Sequence, residues 1–248
     1  MVLGSHPKRT LATVIAVAIA GLALAKYGGG NNVAREGANR HPPSSAHSSG
    51  VTLVATTHGA IPSFASPGGA QSGIVPAKWQ RAPSTLPVIA SRPGWYDVRL
   101  AQRPNGSTTW VLARDVTVAS TPYHIVIDLA STHLTLWRND TRIFSTPVGI
   151  GTPQYPTPTG HYFVALFAQP PTPAYGAFVM VTSDHSDTIT DWERSGDAII
   201  AIHGPLGGDH LIGSRGAAIS HGCLRLHEPD LLRLRDVPAG SPVDINAA

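Results

Sequence analysis

Cys223 is the only cysteine among the 248 residues of this chain, and it directly follows His221 and Gly222. A lone thiol has no partner for an internal disulfide, so it is either a reactive group or a small buried apolar side chain. Gly222 gives the backbone conformations that other residues avoid and leaves room for a substrate. This context favours the reactive alternative and predicts a cysteine nucleophile at position 223.

A thiol needs a neighbouring imidazole to become a thiolate at neutral pH. The chain offers two candidates. His203 ends the apolar run Ala198–Ile202 and is followed by Gly204, whereas His221 lies two residues before the thiol. The residues therefore predict nucleophilic catalysis by a cysteine and a histidine, and they leave the choice of base open.

Composition and spacing argue against several classes of partner. The net charge is +3, but the first 40 residues hold five basic side chains and one acidic one. The remainder is close to neutral and has no basic stripe of the kind that binds nucleic acid. The histidines and Cys223 fit no spacing typical of a zinc site. We predict no nucleic-acid partner, no metal and no cofactor.

Short strands separated by turns must position this chemistry. The chain contains 25 glycines and 22 prolines, and such frequent turns favour a β-rich fold over a helical one. Glu228-Pro229-Asp230 predicts the start of a helix that ends near Arg235. The predicted strands of this C-terminal region are 123–129, 134–137, 142–145, 161–167, 177–182, 198–202 and 242–245. The expected fold is mostly β, with one or two helices.

Three further regions are predicted before this domain, which spans residues 121–248. Residues 1–25 join basic residues to an apolar run, as in a signal peptide or signal anchor, and this predicts export to the cell envelope. Residues 26–72 are rich in Gly, Pro and Ser, which predicts a disordered linker. Residues 73–120 contain short predicted strands and resemble a bacterial Src-homology-type small β-barrel, either a cell-wall binding module or a spacer.

Three connections in the last domain are longer than a plain turn requires, namely 151–160, 169–176 and 183–197. Long loops in a compact domain are usually functional or disordered. The second of them carries Tyr175 and the third carries Trp192. We therefore predict that both aromatic side chains contact a substrate.

The ordered motifs of this domain resemble those of the L,D-transpeptidases, the YkuD-type catalytic domain. His203, which Gly204 follows, is separated by 16 residues from Ser220-His221-Gly222-Cys223, with Arg225 two residues further on. Upstream, Thr157-Pro158-Thr159-Gly160 resembles the Thr-Pro-x-Gly element of the family, and residues 240–243 resemble its C-terminal end. Many members carry Asn at the position of Arg225.

This resemblance implies an enzyme that acts on peptidoglycan stem peptides outside the membrane. Cys223 would attack the carbonyl of an L-configured diamino-acid residue that precedes a terminal D-Ala. A thioester would form, D-Ala would leave, and an acceptor amine would take the acyl group to make a cross-link. No ATP is required because one amide is exchanged for another. Carbapenems and related β-lactams are implied as inhibitors.

The resemblance also implies roles for the two histidines. His203 would be the base, with its other ring nitrogen bonded to the backbone carbonyl of Gly204. His221 would shape the site. The reverse assignment, with His221 as the base and His203 as a structural residue, remains open.

The remaining motif residues are expected to serve the transition state. Backbone N–H groups of residues 221–223 are expected to stabilise the developing oxyanion, because such donors matter strongly in acyl transfer. Ser220 would steady the turn, and Arg225 would fix it or meet a substrate carboxylate.

Three other functions remain open on the sequence alone. Water in place of an acceptor amine would make the protein an L,D-carboxypeptidase, and an amine of another protein would attach that protein to peptidoglycan. A non-catalytic cell-wall binding protein, with the small barrel as its active part, is the third. A papain-like protease is disfavoured, because the local pattern around such a cysteine is absent.

Overall fold

The computed structural model describes residues 50–214 and 217–247, and the regular structure in them is almost entirely β. Nine strands precede residue 122. They are β1 (Thr52–Thr57), β2 (Ile61–Phe64), β3 (Gln71–Val75), β4 (Lys78–Trp79), β5 (Ala82–Pro83), β6 (Thr85–Arg92), β7 (Trp95–Arg99), β8 (Thr108–Leu112) and β9 (Val116–Thr121).

Ten strands and one short α-helix follow residue 122. The strands are β10 (Tyr123–Asp128), β11 (His133–Arg138), β12 (Thr141–Pro147), β13 (Ile150–Gly151), β14 (Gly160–Ala168), β15 (Val179–His185), β16 (Ile199–His203), β17 (Ala218–Ser220), β18 (Leu224–Arg225) and β19 (Pro242–Asn246). The helix α1 spans Glu228–Leu232. Single 3-10 turns span Pro173–Tyr175 and Asp209–Leu211, and another, before residue 122, spans Ala113–Asp115. The predicted mostly β fold is confirmed.

Two large sheets organise these strands. The N-terminal sheet has the order β3-β2-β8-β7-β6-β1-β9, and the C-terminal sheet has the order β12-β11-β10-β19-β14-β15-β16-β18. Neighbours in the second sheet are antiparallel except for the pairs β10–β19 and β16–β18, which are parallel. The strands β13 and β17 form a separate parallel pair that lies beside the predicted motif residues.

Part of the predicted linker is folded. Residues 26–49 lie outside the described residues, as does the predicted signal segment, but residues 52–64 form β1 and β2. Strand β1 pairs with both β6 and β9, and Val54 and Ala55 are buried. Strand β1 was missed because its partners lie about 30 to 70 residues away, and β2 because the Gly- and Ser-rich sequence between it and its nearby partner β3 is typical of a linker. The resemblance of the N-terminal sheet to a Src-homology barrel stays a prediction.

Strand β14 forms the wall between two hydrophobic cores. Tyr162 and Val164 pack in the core of the C-terminal sheet, whereas Phe163 and Ala165 pack in the core of the N-terminal sheet. Successive side chains of a strand point to opposite faces, so a strand that is apolar at every position is buried on both sides. The two sheets therefore share a packed interface.

Within the described part of the chain, no helix is long and apolar enough to cross a membrane.

Candidate active site

Strands β16 and β18 bring the two predicted catalytic side chains onto one face of the C-terminal sheet. In their parallel pairing, Ile202 lies opposite Leu224 and His203 lies opposite Arg225. Ile202 and Leu224 are fully buried in the core, so the residues on either side of them point to the other face. Cys223 directly precedes β18 and so lies diagonally across from His203 on that face.

His203 is held in one orientation by its own neighbour. The ring is 2% exposed, and its Nδ1 lies 2.8 Å from the carbonyl oxygen of Gly204. A carbonyl only accepts, so Nδ1 carries the proton and Nε2 of the neutral ring is the acceptor. Burial is the main cause that lowers the pKa of His203 to about 4; the hydrogen bond to Gly204 opposes this shift, and the nearby charge of Arg225 contributes to it. The geometry matches the partner expected for this ring.

Cys223 is a half-buried free thiol with a raised pKa. Burial is the main cause, and the charge of Asp184 adds to it. A backbone hydrogen bond from Ala201 and the charge of Arg225 act in the opposite direction. Asp184 is itself fully buried, and burial together with the charge of Asp187 raises its pKa to about 8. Sequence reasoning missed Asp184, since nothing in its local context marks it.

The turn before Cys223 is held by Ser220. The Ser220 hydroxyl donates to the carbonyl of Cys223 at 2.6 Å and accepts from the N–H of Gly222 at 3.1 Å. Gly222 adopts φ 114°, and a Cβ there would lie 2.7 Å from the side chain of Ile200. The Gly222 N–H, which we expected to stabilise an oxyanion, donates here to the Ser220 hydroxyl. The N–H groups of His221 and Cys223 remain as candidates.

Thr157 fastens this turn to the 151–160 loop, and sequence reasoning assigned it no role. Its hydroxyl donates to the carbonyl of Gly222 at 2.7 Å and accepts from the N–H of Gly151 at 2.9 Å. The side chain is 4% exposed. The Thr-Pro-x-Gly element was the available signal, since Thr157 is its first residue.

Gly204, Tyr175 and Arg225 surround the histidine. The N–H of Gly204 donates to the carbonyl of Tyr175 at 2.7 Å, and a Cβ on Gly204 would lie 2.9 Å from that oxygen. The ring of Tyr175 lies 4.8 Å from that of His203. The backbone of Arg225 exchanges hydrogen bonds of 2.8 and 2.9 Å with Gly149. The structure therefore places all three predicted residues at the site.

His221 lies apart from this buried pair, in an aromatic groove. It is exposed, and its ring lies 4.8 Å from Tyr155 and 5.3 Å from Trp192. These residues and the loop residues 188–191 line a cavity of about 410 Å³. Trp192 is 42% exposed, so an apolar surface is available to a ligand beside the thiol. The groove includes Tyr155, which sequence reasoning also missed.

The arrangement is suited to covalent acyl transfer by the chain's own side chains. A thiol and an oriented neutral imidazole share one sheet face, and the tight turn before the thiol carries His221, which lines the open groove. Within residues 50–214 and 217–247, no group of three or more histidine, cysteine or acidic side chains is arranged to hold a metal ion.

Comparison with known proteins gives matches over the C-terminal half of the chain. The family model for the L,D-transpeptidase catalytic domain, YkuD, matches residues 122–245. The protein YkuD of Bacillus subtilis (strain 168) is 29% identical over 126 residues, which are 50% of this chain and 66% of that protein. The chain thus spans just under two thirds of the length of this curated relative.

Two solved structures show the same kind of similarity. An L,D-transpeptidase from Mycobacterium smegmatis aligns with a TM-score of 0.40 and 16% identity, over 65% of this chain and 82% of that chain. L,D-transpeptidase 3 from Mycobacterium tuberculosis, solved with a faropenem-derived adduct, aligns with a TM-score of 0.40 and 16% identity, over 59% and 76% of the two chains.

The matched segment contains each motif residue described above, from Thr157 to Arg225. Because the family model covers half of the chain, we conclude that the chain belongs to the YkuD family of L,D-transpeptidase catalytic domains.

Proposed function

We propose that the protein is an exported peptidoglycan L,D-transpeptidase in which Cys223 is the nucleophile and His203 is the base. The observation that carries the proposal is the shared face of β16 and β18. There, the hydrogen bond from His203 Nδ1 to Gly204 leaves Nε2 of the neutral ring as the proton acceptor, one residue along the register from Cys223. His221 is exposed in the groove and is less suited to this role.

The proposed reaction exchanges one amide for another. Cys223 Sγ attacks the carbonyl carbon of the donor stem peptide while His203 Nε2 takes the thiol proton. The tetrahedral intermediate expels D-Ala, whose amine receives that proton, and a thioester remains. An acceptor amine then attacks the thioester, passes its proton through His203 to the departing sulfur, and forms the cross-link. Atoms and charges balance without a nucleotide or a cofactor.

We assign the oxyanion to the backbone N–H groups of Cys223 and His221. The Thr157 hydroxyl holds the Gly222 carbonyl, and in a trans peptide the N–H of the next residue points the opposite way. Thr157 thereby directs the Cys223 N–H away from the Thr157 side of the turn. A donor fixed before the reaction stabilises developing charge without reorganisation.

Inhibition and location are part of the proposal. One structural neighbour carries a faropenem-derived adduct, and we propose that β-lactams of this kind acylate Cys223. The basic and apolar sequence of residues 1–25 supports action outside the cytoplasmic membrane, where stem peptides are found.

The test uses a tetrapeptide stem and the full chain. We expect wild-type protein to release D-Ala and Cys223→Ala to release none, with an unchanged circular dichroism spectrum. Incubation with a carbapenem should add its mass to the peptide that contains Cys223, and to no peptide of the Cys223→Ala variant. Turnover by the variant would overturn the mechanism.

Adding an acceptor stem peptide separates transfer from hydrolysis. Cross-linked dimer identifies a transpeptidase, whereas tripeptide alone identifies an L,D-carboxypeptidase and overturns the proposed transfer step.

A further inference from the structure

The connection between β7 and β8 of the N-terminal sheet reaches across to the loop that lines the aromatic groove. Arg103 donates from Nε to the carboxylate of Asp197 at 2.9 Å and from Nη2 to the carbonyl of Ile189 at 3.1 Å. Asp197 ends the 186–197 loop, and Ile189 lies in the wall of the groove. One guanidinium therefore ties the end of this loop to its middle.

Asn105 holds the beginning of the same loop. Its side-chain amide donates to the carbonyl of His185 at 2.7 Å and accepts from the N–H of His185 at 3.0 Å, as a neighbouring strand would. It also donates to the buried carboxylate of Asp184 at 3.2 Å. Nδ1 of His185 lies 2.7 Å from the second carboxylate oxygen of Asp197. Both ends of the loop are thus bound to one segment of the other sheet.

Two residues of this loop have backbone conformations that local preferences disfavour. Glu193 and Arg194 adopt φ values of 52° and 64°, in the left-handed region that non-glycine residues disfavour. Trp192 carries the loop onto the ring of His221, two residues from the nucleophile. A conformation that local sequence disfavours needs tertiary contacts to persist. Hydrogen bonds within the loop, such as that from the Trp192 N–H to the Asp197 carbonyl at 2.9 Å, hold part of this conformation, and Arg103 and Asn105 add contacts from the N-terminal sheet at its two ends.

We propose that Arg103 and Asn105 are positioning residues that hold the groove-lining loop 186–197 against His221 and thereby set the affinity for the stem peptide. The inference rests on the proposed function, because the stem peptide is the ligand of the groove. If the inference is correct, the N-terminal sheet contributes to substrate binding at the groove, which neither a spacer nor a wall-binding module would do.

The test compares Arg103→Met and Asn105→Ala with Arg92→Met in the full chain. Arg92 lies at the end of β6 and bonds only to the adjacent carbonyl of Ser91 at 3.0 Å, so it serves as the matched control. Hydrogen exchange of the amides in residues 187–196 and trypsin cleavage after Arg194 report on the loop. KM and kcat for D-Ala release report on the groove, and iodoacetamide alkylation reports on the thiol.

We expect both test variants to exchange and to be cleaved faster in the loop, and KM to rise about two- to tenfold, as for the loss of an aromatic contact in the groove. Alkylation of Cys223 should be unchanged, and the control should match wild type in every assay. Arg103→Lys, which keeps the charge but has no fork to span two acceptors, should give an intermediate KM.

Unchanged loop exchange in both test variants would overturn the inference. Faster loop exchange with an unchanged KM would overturn the part of the inference that links the loop to the affinity for the stem peptide. If Arg103→Met does not fold, the same measurements on Asn105→Ala and Arg103→Lys test the inference. If the wild-type protein itself releases no D-Ala, the proposed function is overturned. The wild-type measurement therefore distinguishes a failure of the proposed function from a failure of the inference about the loop.

Discussion

The pKa shifts of the proposed catalytic pair, Cys223 and His203, favour the neutral form of both side chains near pH 7. Burial lowers the pKa of His203 to about 4 and raises the pKa of the Cys223 thiol above its ordinary value. A preformed thiolate and imidazolium are therefore disfavoured in the free protein, and the proton passes to His203 as the sulfur attacks. This differs from the sequence-based expectation that the imidazole holds the sulfur as a thiolate at neutral pH.

The neutral pair predicts a pH profile. A histidine with a lowered pKa stays neutral until the pH falls through that value, so kcat/KM for D-Ala release should fall through about pH 4. Iodoacetamide alkylation of Cys223 should accelerate only at alkaline pH. His203→Ala should slow D-Ala release by about a hundredfold or more, the size of general base catalysis, and leave the alkylation profile alkaline.

Two control measurements accompany this prediction. His221→Ala should cost less activity and keep the acid limb near pH 4. Circular dichroism at each pH separates inactivation from unfolding, because a buried neutral histidine also loses stability as the pH falls from 6.5 towards 4. A wild-type thiol that is alkylated fully below pH 7, or a profile shifted by His221→Ala alone, would contradict the assignment.

Among the elements, the 151–160 loop decides how the nucleophile turn is oriented. Thr157 bonds to Gly151 on its own side and to the Gly222 carbonyl across the site, so one hydroxyl joins two segments that are 65 residues apart. The strands β13 and β17 pair beside it, and the N–H of Thr152 donates to the carbonyl of Ser220 at 3.0 Å. The loop thus fixes the peptide plane that carries the Cys223 N–H.

Thr157→Val should remove the hydrogen bonds that orient the peptide plane before Cys223 while keeping the shape of the side chain. We expect kcat to fall about a hundredfold, as for the loss of an oxyanion donor, with KM within about threefold of wild type. Thr135→Val is the matched control, since its hydroxyl lies 3.3 Å from Ser145 on the surface of β11. Stopped-flow D-Ala release measures kcat. A fall confined to KM would show that Thr157 serves binding and not the oxyanion.

In the whole molecule, the two sheets share one interface and are expected to unfold together. Phe163 of β14 is 1% exposed and packs in the core of the N-terminal sheet. Thr121 and Ser241 bond at 2.8 Å in the buried region between the sheets, and a Cβ on Gly240 would lie 2.6 Å from Val54. Removing the N-terminal sheet would therefore expose apolar surface of the catalytic segment, whatever else that sheet does.

Phe163→Ala should lower the free energy of unfolding by about 3–5 kcal/mol, the usual cost of truncating a buried phenylalanine. Phe167→Ala is the comparison on the same strand, and it should cost much less because Phe167 is 38% exposed. Calorimetry should show one transition that shifts as a unit in the Phe163 variant. Two separate transitions in wild-type protein would contradict a shared core.

Residue type, order and short-range periodicity determined the chemistry and most of the strands. A lone cysteine after His-Gly, a histidine at the end of an apolar run and the order of the motifs are properties of the chain itself. Strand β14 was predictable because an apolar run bounded by Gly160 is a local pattern. For the same reason, Tyr175 and Trp192 could be assigned to long loops near the site before their positions were known.

Tertiary structure alone decided which backbone groups are free and how the site is charged. Gly222 N–H is occupied by Ser220, and the Gly222 carbonyl by Thr157, and neither bond follows from spacing. Strand β1 lies in a composition typical of a linker, and it is a strand because β6 and β9, which are far away in the sequence, pair with it. Hydrogen-bond partners and burial depend on residues that are far apart in the chain. The lowered pKa of His203 and the hydrogen bond from Arg103 to the groove residue Ile189 therefore follow only from the folded structure.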